Sequence, residues 1–347
     1  MAVSIILLIV GTLLLIKGAD FFVGGASRLA RALKVPPLVI GLTLVSMGTS
    51  APEASVSING AVNGMNDMSI SNVVGSNIFN TLFILGVSSL IIPLTISRDM
   101  KKFDVPIMTA LYAVLMIFAF AITPYRIDVA EAAVMIVLFT GYTAFLTVRA
   151  VRAGKREKAA ASTATVLGTT ENAALAQNTA ATSTEKESKP KKRPWTERIP
   201  LWLSLILAAA GLAGIIFGGD MVVKSASAIA KALGMSESLV GLTIVAVGTS
   251  LPELVTSIVA AVKKENDIAV GNVIGSNIFN IVFILGISSA ISAPTVSSGT
   301  LIDMAVMAGS GVLILVIALC RKQTSRWQGA LMTALYVAYL AYIIVRN

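Results

Sequence analysis

The hydrophobic residues of this chain fall into long blocks that are separated by short polar stretches. Blocks near 20 residues are long enough to cross the hydrocarbon core of a bilayer, roughly 30 Å thick, as α-helices. Hydropathy therefore predicts an all-α polytopic membrane protein with ten transmembrane helices. The predicted segments are 2–24, 37–62, 69–92, 104–123 and 128–150, then 200–223, 238–262, 268–291, 300–320 and 327–346.

The composition agrees with an integral membrane protein. Hydrophobic residues make up 56% of the chain and charged residues only 13%, against about 25% charged residues in typical soluble domains. The apolar N-terminal segment lacks a basic leader and a cleavage site, so we interpret it as a retained first span. In a membrane protein, a net charge of +9 indicates basic cytoplasmic loops rather than a nucleic-acid partner.

The chain contains an internal repeat. Residues 18–91 align without gaps to residues 218–291, with 38 identities in 74 positions. A match of this length indicates a duplicated gene. Five spans per copy is an odd number, so the two copies must enter the membrane in opposite directions. This is the inverted-repeat architecture of many secondary transporters.

The distribution of Lys and Arg predicts the orientation in the membrane. If both termini lie outside, 22 of these residues fall on the side of the central linker and 4 on the opposite side. Cytoplasmic loops carry an excess of Lys and Arg. We therefore expect a multi-pass protein of the plasma or inner membrane with a cytoplasmic linker.

Residues 151–199 differ from the rest of the chain. They are rich in Ala, Thr, Ser and Lys and contain few large apolar residues, a composition that favours disorder. The predicted organisation is a first five-helix repeat at 1–150, a disordered basic linker at 151–199 and a second five-helix repeat at 200–347. The linker is expected to act as a tether, with lipid binding or regulation as the alternative.

Two glutamates lie deep within apolar segments. Glu53 ends the motif Gly48-Thr-Ser-Ala-Pro-Glu53, and Glu253 ends Gly248-Thr-Ser-Leu-Pro-Glu253. An acidic residue near the middle of a span costs about 2.5–3.5 kcal/mol on insertion scales. One such residue could serve a helix–helix hydrogen bond, but two at equivalent repeat positions favour a functional site.

Each glutamate directly follows a proline. Proline has no N–H and clashes with the carbonyl four residues earlier, which belongs to Gly48 or Gly248. We therefore predict that both helices bend or break in these motifs. The freed carbonyls and the neighbouring Thr and Ser hydroxyls could then coordinate a cation.

A second pair of motifs follows in the next span of each repeat, Gly75-Ser-Asn-Ile-Phe-Asn80 and Gly275-Ser-Asn-Ile-Phe-Asn280. The serine and the last asparagine are four residues apart and share one helix face. Alone, the small residues would suggest close helix packing. Beside the glutamate motifs, they suggest a shared site of carboxylate, hydroxyl, amide and carbonyl oxygens. Such hard donors suit calcium and sodium, and they do not suit copper or zinc.

The paired motifs resemble the two alpha repeats of the cation/calcium exchanger superfamily, and especially its prokaryotic sodium/calcium exchangers. The resemblance implies ten helices, alternating access and a midplane site formed by the second, third, seventh and eighth helices. In the family, the residue three before the threonine offers its carbonyl, which here points to Ser46 and Ala246. The other ligands implied by the resemblance are Thr49, Ser50, Glu53, Ser76 and Asn80, with Thr249, Ser250, Glu253, Ser276 and Asn280.

One departure from the family pattern affects the expected charge of the site. Several relatives carry aspartate at one of the two positions occupied here by Asn80 and Asn280. With asparagine at both, the site has two carboxylates and a maximum charge of −2. That charge balances one calcium ion or two sodium ions.

The predicted function is exchange of calcium for sodium, with no cofactor, no enzymatic activity and no protein partner indicated. The chain contains no histidine and no phosphate-binding loop, which argues against histidine proton relays and ATP-driven pumping. A calcium/proton antiporter of the same fold is the alternative, because the two glutamates could carry protons. A cation channel is a weaker alternative, and a membrane-embedded enzyme is weaker still.

Overall fold

The computed structural model describes residues 2–175, 200–235, 244 and 246–346, most of which are helical. The first half contains α1 (Ala2–Leu33), α2 (Pro37–Thr49), α3 (Ala51–Val62), α4 (Asn66–Ile78, continued by Phe79–Ile84 and Leu85–Ile91), α5 (Met100–Ile122) and α6 (Val129–Leu175). The second contains α7 (Leu201–Ala232), α8 (Ala246–Gly248), α9 (Leu251–Val262), α10 (Asn266–Ile291), α11 (Ser298–Cys320) and α12 (Arg326–Arg346). Across these ranges there is no β-strand, and the only β-type pairings are two isolated bridges between loops.

Eight helices are long and apolar enough to cross a membrane, namely α1, α4, α5, α6, α7, α10, α11 and α12. This confirms an all-helical chain with multiple membrane spans. The predicted segment 37–62 is divided into α2 and α3, each shorter than the roughly 20 residues that a crossing needs. Part of the other segment, 238–262, falls outside the described residues, and its described part ends in the 12-residue α9. Eight described helices, rather than the predicted ten, therefore meet the length criterion.

The predicted boundary at 150 is not a helix end. Helix α6 continues to Leu175, into the stretch for which we predicted disorder. The sequence after 157 is rich in alanine, the residue with the highest helix propensity. Extending an existing helix also avoids the cost of nucleation. The rest of the predicted linker, 176–199, lies outside the described residues.

The first helices of the two repeats, α1 and α7, pack against each other through glycines. A Cβ on Gly18 would lie 2.7 Å from the carbonyl oxygen of Gly211, and a Cβ on Gly11 would lie 3.0 Å from that of Gly218. The backbones are therefore in direct contact, which only small residues allow. Position 11 faces 218 while position 18 faces 211, so the two helices run antiparallel.

The last helix of each repeat packs against a helix of the other repeat. Helix α12 packs against Leu85–Ile91, the last part of α4 in the other repeat. In the same way, α6 packs against Gly286–Ile291, the last part of α10. The ranges 1–150 and 200–347 therefore mark a sequence duplication, but the hydrophobic core is shared between them.

Candidate ion-binding site

The two helix breaks lie at the predicted motifs. Ser50 separates α2 from α3 with φ −80° and ψ 9°, and Ser250 precedes α9 with φ −91° and ψ 8°. In each case the proline occupies the first turn of the following helix, where its missing N–H leaves no hydrogen bond unmade. The serine therefore lies at the break itself, and the glutamate lies in the first turn of the helix that follows it.

The two glutamates are held by the serines of the opposite repeats. The Ser50 hydroxyl donates to Oε1 of Glu253 at 2.8 Å, and the Ser250 hydroxyl donates to Oε1 of Glu53 at 2.9 Å. Both glutamates are fully buried. Each repeat thus supplies one carboxylate and the hydroxyl that orients the carboxylate of its counterpart.

The two asparagines of the second motif also form hydrogen bonds across the repeats. Asn80 Nδ2 donates to Asn277 Oδ1 at 3.2 Å, and Asn280 Nδ2 donates to Asn77 Oδ1 at 3.0 Å. Asn80 and Asn280 lie in π-helical turns, at Phe79–Ile84 and Asn280–Leu285, and such turns are frequent at functional sites. The NH2 groups of Asn80 and Asn280 are therefore engaged, whereas their amide oxygens have no hydrogen-bond partner among the described residues.

Six buried oxygens of the predicted site residues have no hydrogen-bond partner within the described part of the chain. They are Glu53 Oε2, Glu253 Oε2, Ser76 Oγ, Asn80 Oδ1, Asn280 Oδ1 and Thr249 Oγ1. A buried polar atom without a partner costs about 1–3 kcal/mol. A cation coordinated by such oxygens would offset this cost, and a set composed only of oxygens suits calcium or sodium.

The carbonyl of Ser46 lies among other residues of the predicted site, and its role as an ion ligand stays a prediction. Its oxygen accepts hydrogen bonds from the hydroxyls of Thr49 at 3.3 Å and Ser276 at 3.5 Å. Those two hydroxyls also lie close to the Glu253 carboxylate. The equivalent residue Ala246 lies in the helix Ala246–Gly248, and its role as a carbonyl ligand stays a prediction.

Four further asparagines form hydrogen bonds in and around the predicted site, and the sequence motifs did not single them out. Asn77 and Asn277 hold the amides described above, whereas Asn72 and Asn272 each donate to a serine hydroxyl, Ser57 or Ser257, at 2.9 Å. All four asparagines are identical at the repeat offset. Their identity in both repeats was the sequence feature that could have identified them, because a residue shared by both copies of a duplicated motif is expected to act in each.

The two repeats are not equivalent in detail. Thr49 Oγ1 donates to Asn272 Oδ1 at 3.0 Å, but the Thr249 hydroxyl has no partner among the described residues. Thr249 lines a largely apolar cavity of about 440 Å³ between α3, α7 and α8, together with Pro52 and Phe217. At the equivalent position of the first repeat, Thr49 is fully buried, whereas Thr249 is partly exposed. Thr249 is therefore the more accessible of the two threonines.

The chain resembles known exchangers over nearly its whole length. The family described as "Sodium/calcium exchanger protein" matches residues 3–148 and 203–345. The sodium/calcium exchanger MaX1 of Methanosarcina acetivorans is 33% identical over 346 residues, covering 98% of each chain. The inner membrane protein YrbG of Escherichia coli is 33% identical over 350 residues, covering 99% of this chain and 97% of that protein. A structure of the sodium-calcium exchanger NCX_Mj, soaked with Na⁺ and Ca²⁺, matches with a TM-score of 0.76 at 28% identity, covering 98% of each chain.

Proposed function

Because the chain belongs to the sodium/calcium exchanger protein family, we propose that it is an antiporter that exchanges calcium for sodium across the membrane. The observation that carries this proposal is the crossed arrangement of Glu53 and Glu253. Each buried carboxylate uses one oxygen for a serine of the opposite repeat and keeps its other oxygen free of protein partners. One shared ion site between the repeats accounts for both free oxygens.

The donor set gives the site its charge and its preference among ions. The described residues contain no cluster of three or more His, Cys, Asp or Glu side chains that could hold a metal ion. The proposed site therefore relies on two carboxylates, with hydroxyl, amide and carbonyl oxygens completing the coordination. Its charge of −2 balances one calcium ion or two sodium ions.

Exchange follows from competition for the two glutamates. Calcium and sodium cannot occupy the same carboxylates together, and an empty site would have to carry its negative charge through an apolar barrier. Burying an uncompensated charge is far more costly than burying a neutralised one. Only ion-loaded states then change their access from one side to the other, so each ion that leaves is replaced by another. An inward sodium gradient would drive calcium outward.

We propose ten membrane-crossing helices in two inverted repeats, with α2–α3 and α8–α9 as the broken crossings. The antiparallel packing of α1 and α7 through reciprocal glycines supports this arrangement. Loop contacts support the predicted sides. The bridges Thr95–Gln323 and Arg126–Thr295 each join loops that the topology assigns to one side of the membrane.

With the termini outside and the linker cytoplasmic, the cavity beside Thr249 lies in the outer half of the membrane. It contacts the second half of α7 and the start of α3, both of which the topology assigns to the outer half of the membrane. We therefore propose that this cavity is the external route to the site. The plasma or inner membrane is the proposed location.

The test is calcium uptake into proteoliposomes that are loaded with sodium and diluted into sodium-free buffer at matched pH. Uptake that requires the sodium gradient and survives a proton ionophore supports sodium/calcium exchange. Uptake that ignores sodium and follows an imposed pH gradient would reassign the same glutamates to calcium/proton exchange. Calcium flux without any counter-ion would indicate a channel. Liposomes with Glu53→Gln provide the matched control for leakage.

A further inference from the structure

We propose that Asn77 and Asn277 are positioning residues that set the amide orientation of the ion ligands Asn280 and Asn80. An asparagine amide presents an acceptor oxygen on one side and a donor NH2 on the other. Only the oxygen can coordinate a cation. This inference deepens the proposed function and rests on it, because it assigns a role toward the same site.

The geometry fixes which side of each ligand amide faces the site. Asn277 Oδ1 accepts from Asn80 Nδ2 at 3.2 Å, and Asn77 Oδ1 accepts from Asn280 Nδ2 at 3.0 Å. All four side chains are fully buried, so water cannot replace these partners cheaply. A flipped Asn80 or Asn280 would place its oxygen against another oxygen and direct its NH2 toward the bound cation.

The positioning residues are themselves oriented. Asn77 Nδ2 donates to the backbone oxygen of Asn277 at 3.1 Å. Asn277 Nδ2 donates to Thr81 Oγ1 at 2.9 Å and lies 3.5 Å from Met108 Sδ. With their NH2 groups fixed in this way, both side chains can offer only oxygens to the ligand amides.

A purely structural role predicts different effects of mutation. If these bonds only joined helices, the loss of Asn277 would lower stability whatever residue occupied position 80. If Asn277 orients an amide, its loss matters only while position 80 is an amide. A carboxylate presents an oxygen to the ion in either orientation and needs no positioning partner.

The experiment is a double-mutant cycle on purified full-length protein in phosphatidylcholine nanodiscs, with calcium binding measured by calorimetry. Asn277→Leu should weaken calcium binding by at least about tenfold, since buried unsatisfied polar groups cost 1–3 kcal/mol. In the Asn80→Asp background the same substitution should not weaken calcium binding, because an aspartate at position 80 has no NH2 group for the Asn277 oxygen to accept from. Asn72→Leu is the matched control, since it removes a nearby amide whose effect should be the same in both backgrounds.

Equal losses of calcium affinity in the two backgrounds would overturn the proposal. So would unchanged affinity in Asn277→Leu, which would leave the proposed exchange function intact. Wild-type protein that binds no calcium would instead remove the function on which the inference rests. If Asn277→Leu does not fold, Asn77→Leu with Asn280→Asp is the equivalent cycle.

A second proposal concerns a different surface and is independent of the ion site. We infer that the loop between α11 and α12 forms a cleft for the headgroup of an anionic phospholipid. A cavity of about 530 Å³ is lined there by Arg321, Lys322, Arg326 and Trp327. The loop joins two predicted membrane helices, so the cleft lies at the boundary of the bilayer, where tryptophan is enriched.

The three basic side chains are exposed, and none forms an ion pair with a carboxylate of the described residues. The corresponding loop of the first repeat differs, because its arginine, Arg126, is paired with Asp128 at 2.7 Å. Uncompensated cations in a concave site are suited to a phosphodiester. The positive-inside bias explains basic residues on one side, but it does not explain a preformed cleft.

The cleft is held in place by the loop before α5. Leu94 N donates to Thr324 Oγ1, and Thr324 N donates to Leu94 O, each at 2.9 Å. Lys101 Nζ also donates to the carbonyl of Arg321. These contacts join loops of the two repeats, so that lipid bound here would contact both.

The test is lipid retention by native mass spectrometry after reconstitution into mixed phosphatidylcholine and phosphatidylglycerol vesicles. Wild-type protein should retain phosphatidylglycerol preferentially. The triple variant Arg321→Gln, Lys322→Gln, Arg326→Gln should bind it about a hundredfold more weakly, since each basic residue near an anionic headgroup contributes about fivefold. Arg126→Gln is the matched control and should behave as wild type. Equal retention of the two lipids, an unaffected triple variant, or full displacement by inorganic phosphate would overturn the lipid assignment.

Discussion

The Ser50 hydroxyl donates a 2.8 Å hydrogen bond to Glu253, a residue of the opposite repeat. The repeat symmetry converts this contact into the one between Ser250 and Glu53, at 2.9 Å. The serine of each motif therefore bonds the glutamate of the other motif. A change at either motif is transmitted directly to the glutamate of the other.

Replacing one glutamate should abolish exchange without unfolding the protein. Glu53→Gln and Glu253→Gln keep the shape of the side chain but leave a site of charge −1, which cannot neutralise calcium. We expect sodium-dependent calcium uptake to fall by at least about a hundredfold, corresponding to roughly 2.7 kcal/mol. Uptake is measured in proteoliposomes, with a size-exclusion profile to verify folding. Full activity in either variant would remove the two-glutamate site.

The crossed hydrogen bonds predict which pairs of mutations interact. In a Glu253→Ala background the acceptor of Ser50 is missing, so adding Ser50→Ala should cost little further stability. In a Glu53→Ala background the acceptor remains, and the same substitution should cost about 1–3 kcal/mol. Thermal unfolding of the four variants measures this difference. Stronger coupling of Ser50 to Glu53 would show that the pairing lies within one repeat.

The contact between α1 and α7 predicts a large effect of a single methyl group. A Cβ on Gly18 would lie 2.7 Å from the Gly211 backbone oxygen, and overpacking of this kind costs typically about 1–3 kcal/mol. Gly18→Ala should therefore lower the thermal stability. Gly141 in α6 has no atom within 4 Å of the equivalent position, so Gly141→Ala should be neutral or stabilising by up to about 1 kcal/mol. The opposite order of these variants would contradict the packing.

The single cysteine offers a direct test of the proposed topology. Cys320 is exposed at the end of α11, on the side assigned to the cytoplasm. In sealed right-side-out vesicles, a membrane-impermeant maleimide should leave Cys320 unlabelled until detergent is added. Arg126→Cys in a Cys320→Ser background should react before detergent. Immediate labelling of Cys320 would reverse the orientation.

The long hydrophobic blocks were sufficient to predict an all-helical chain with multiple membrane spans, and the duplicated motifs gave the residues of the proposed site. The two proline motifs also predicted the helix breaks at Ser50 and Ser250, because proline chemistry acts locally. The partners of the glutamates could not be predicted, since they depend on how helices distant in sequence pack together. For the same reason, the contact between the Asn277 oxygen and Asn80 could not be predicted from the sequence.

The extension of α6 to Leu175 was missed for a different reason. Sparse apolar residues indicate that a segment cannot build a core, but they do not prevent a helix that is already nucleated from continuing. Composition measures the first property and not the second. The predicted boundary at 150 therefore located the end of the hydrophobic block rather than the end of the helix.

The reciprocal contacts between the repeats also indicate how the ancestral protein was assembled. When residue i of one copy contacts residue j of the other, and j also contacts i, the interface has the form of a two-fold symmetric dimer. Gly11 with Gly218 and Gly18 with Gly211 form such a set. Before the gene duplicated and fused, a protein of one repeat would have paired with a second copy of itself through this antiparallel contact. Fusion then freed each half to change separately, as the pairing of Thr49 and the unpaired state of Thr249 within the described chain illustrate.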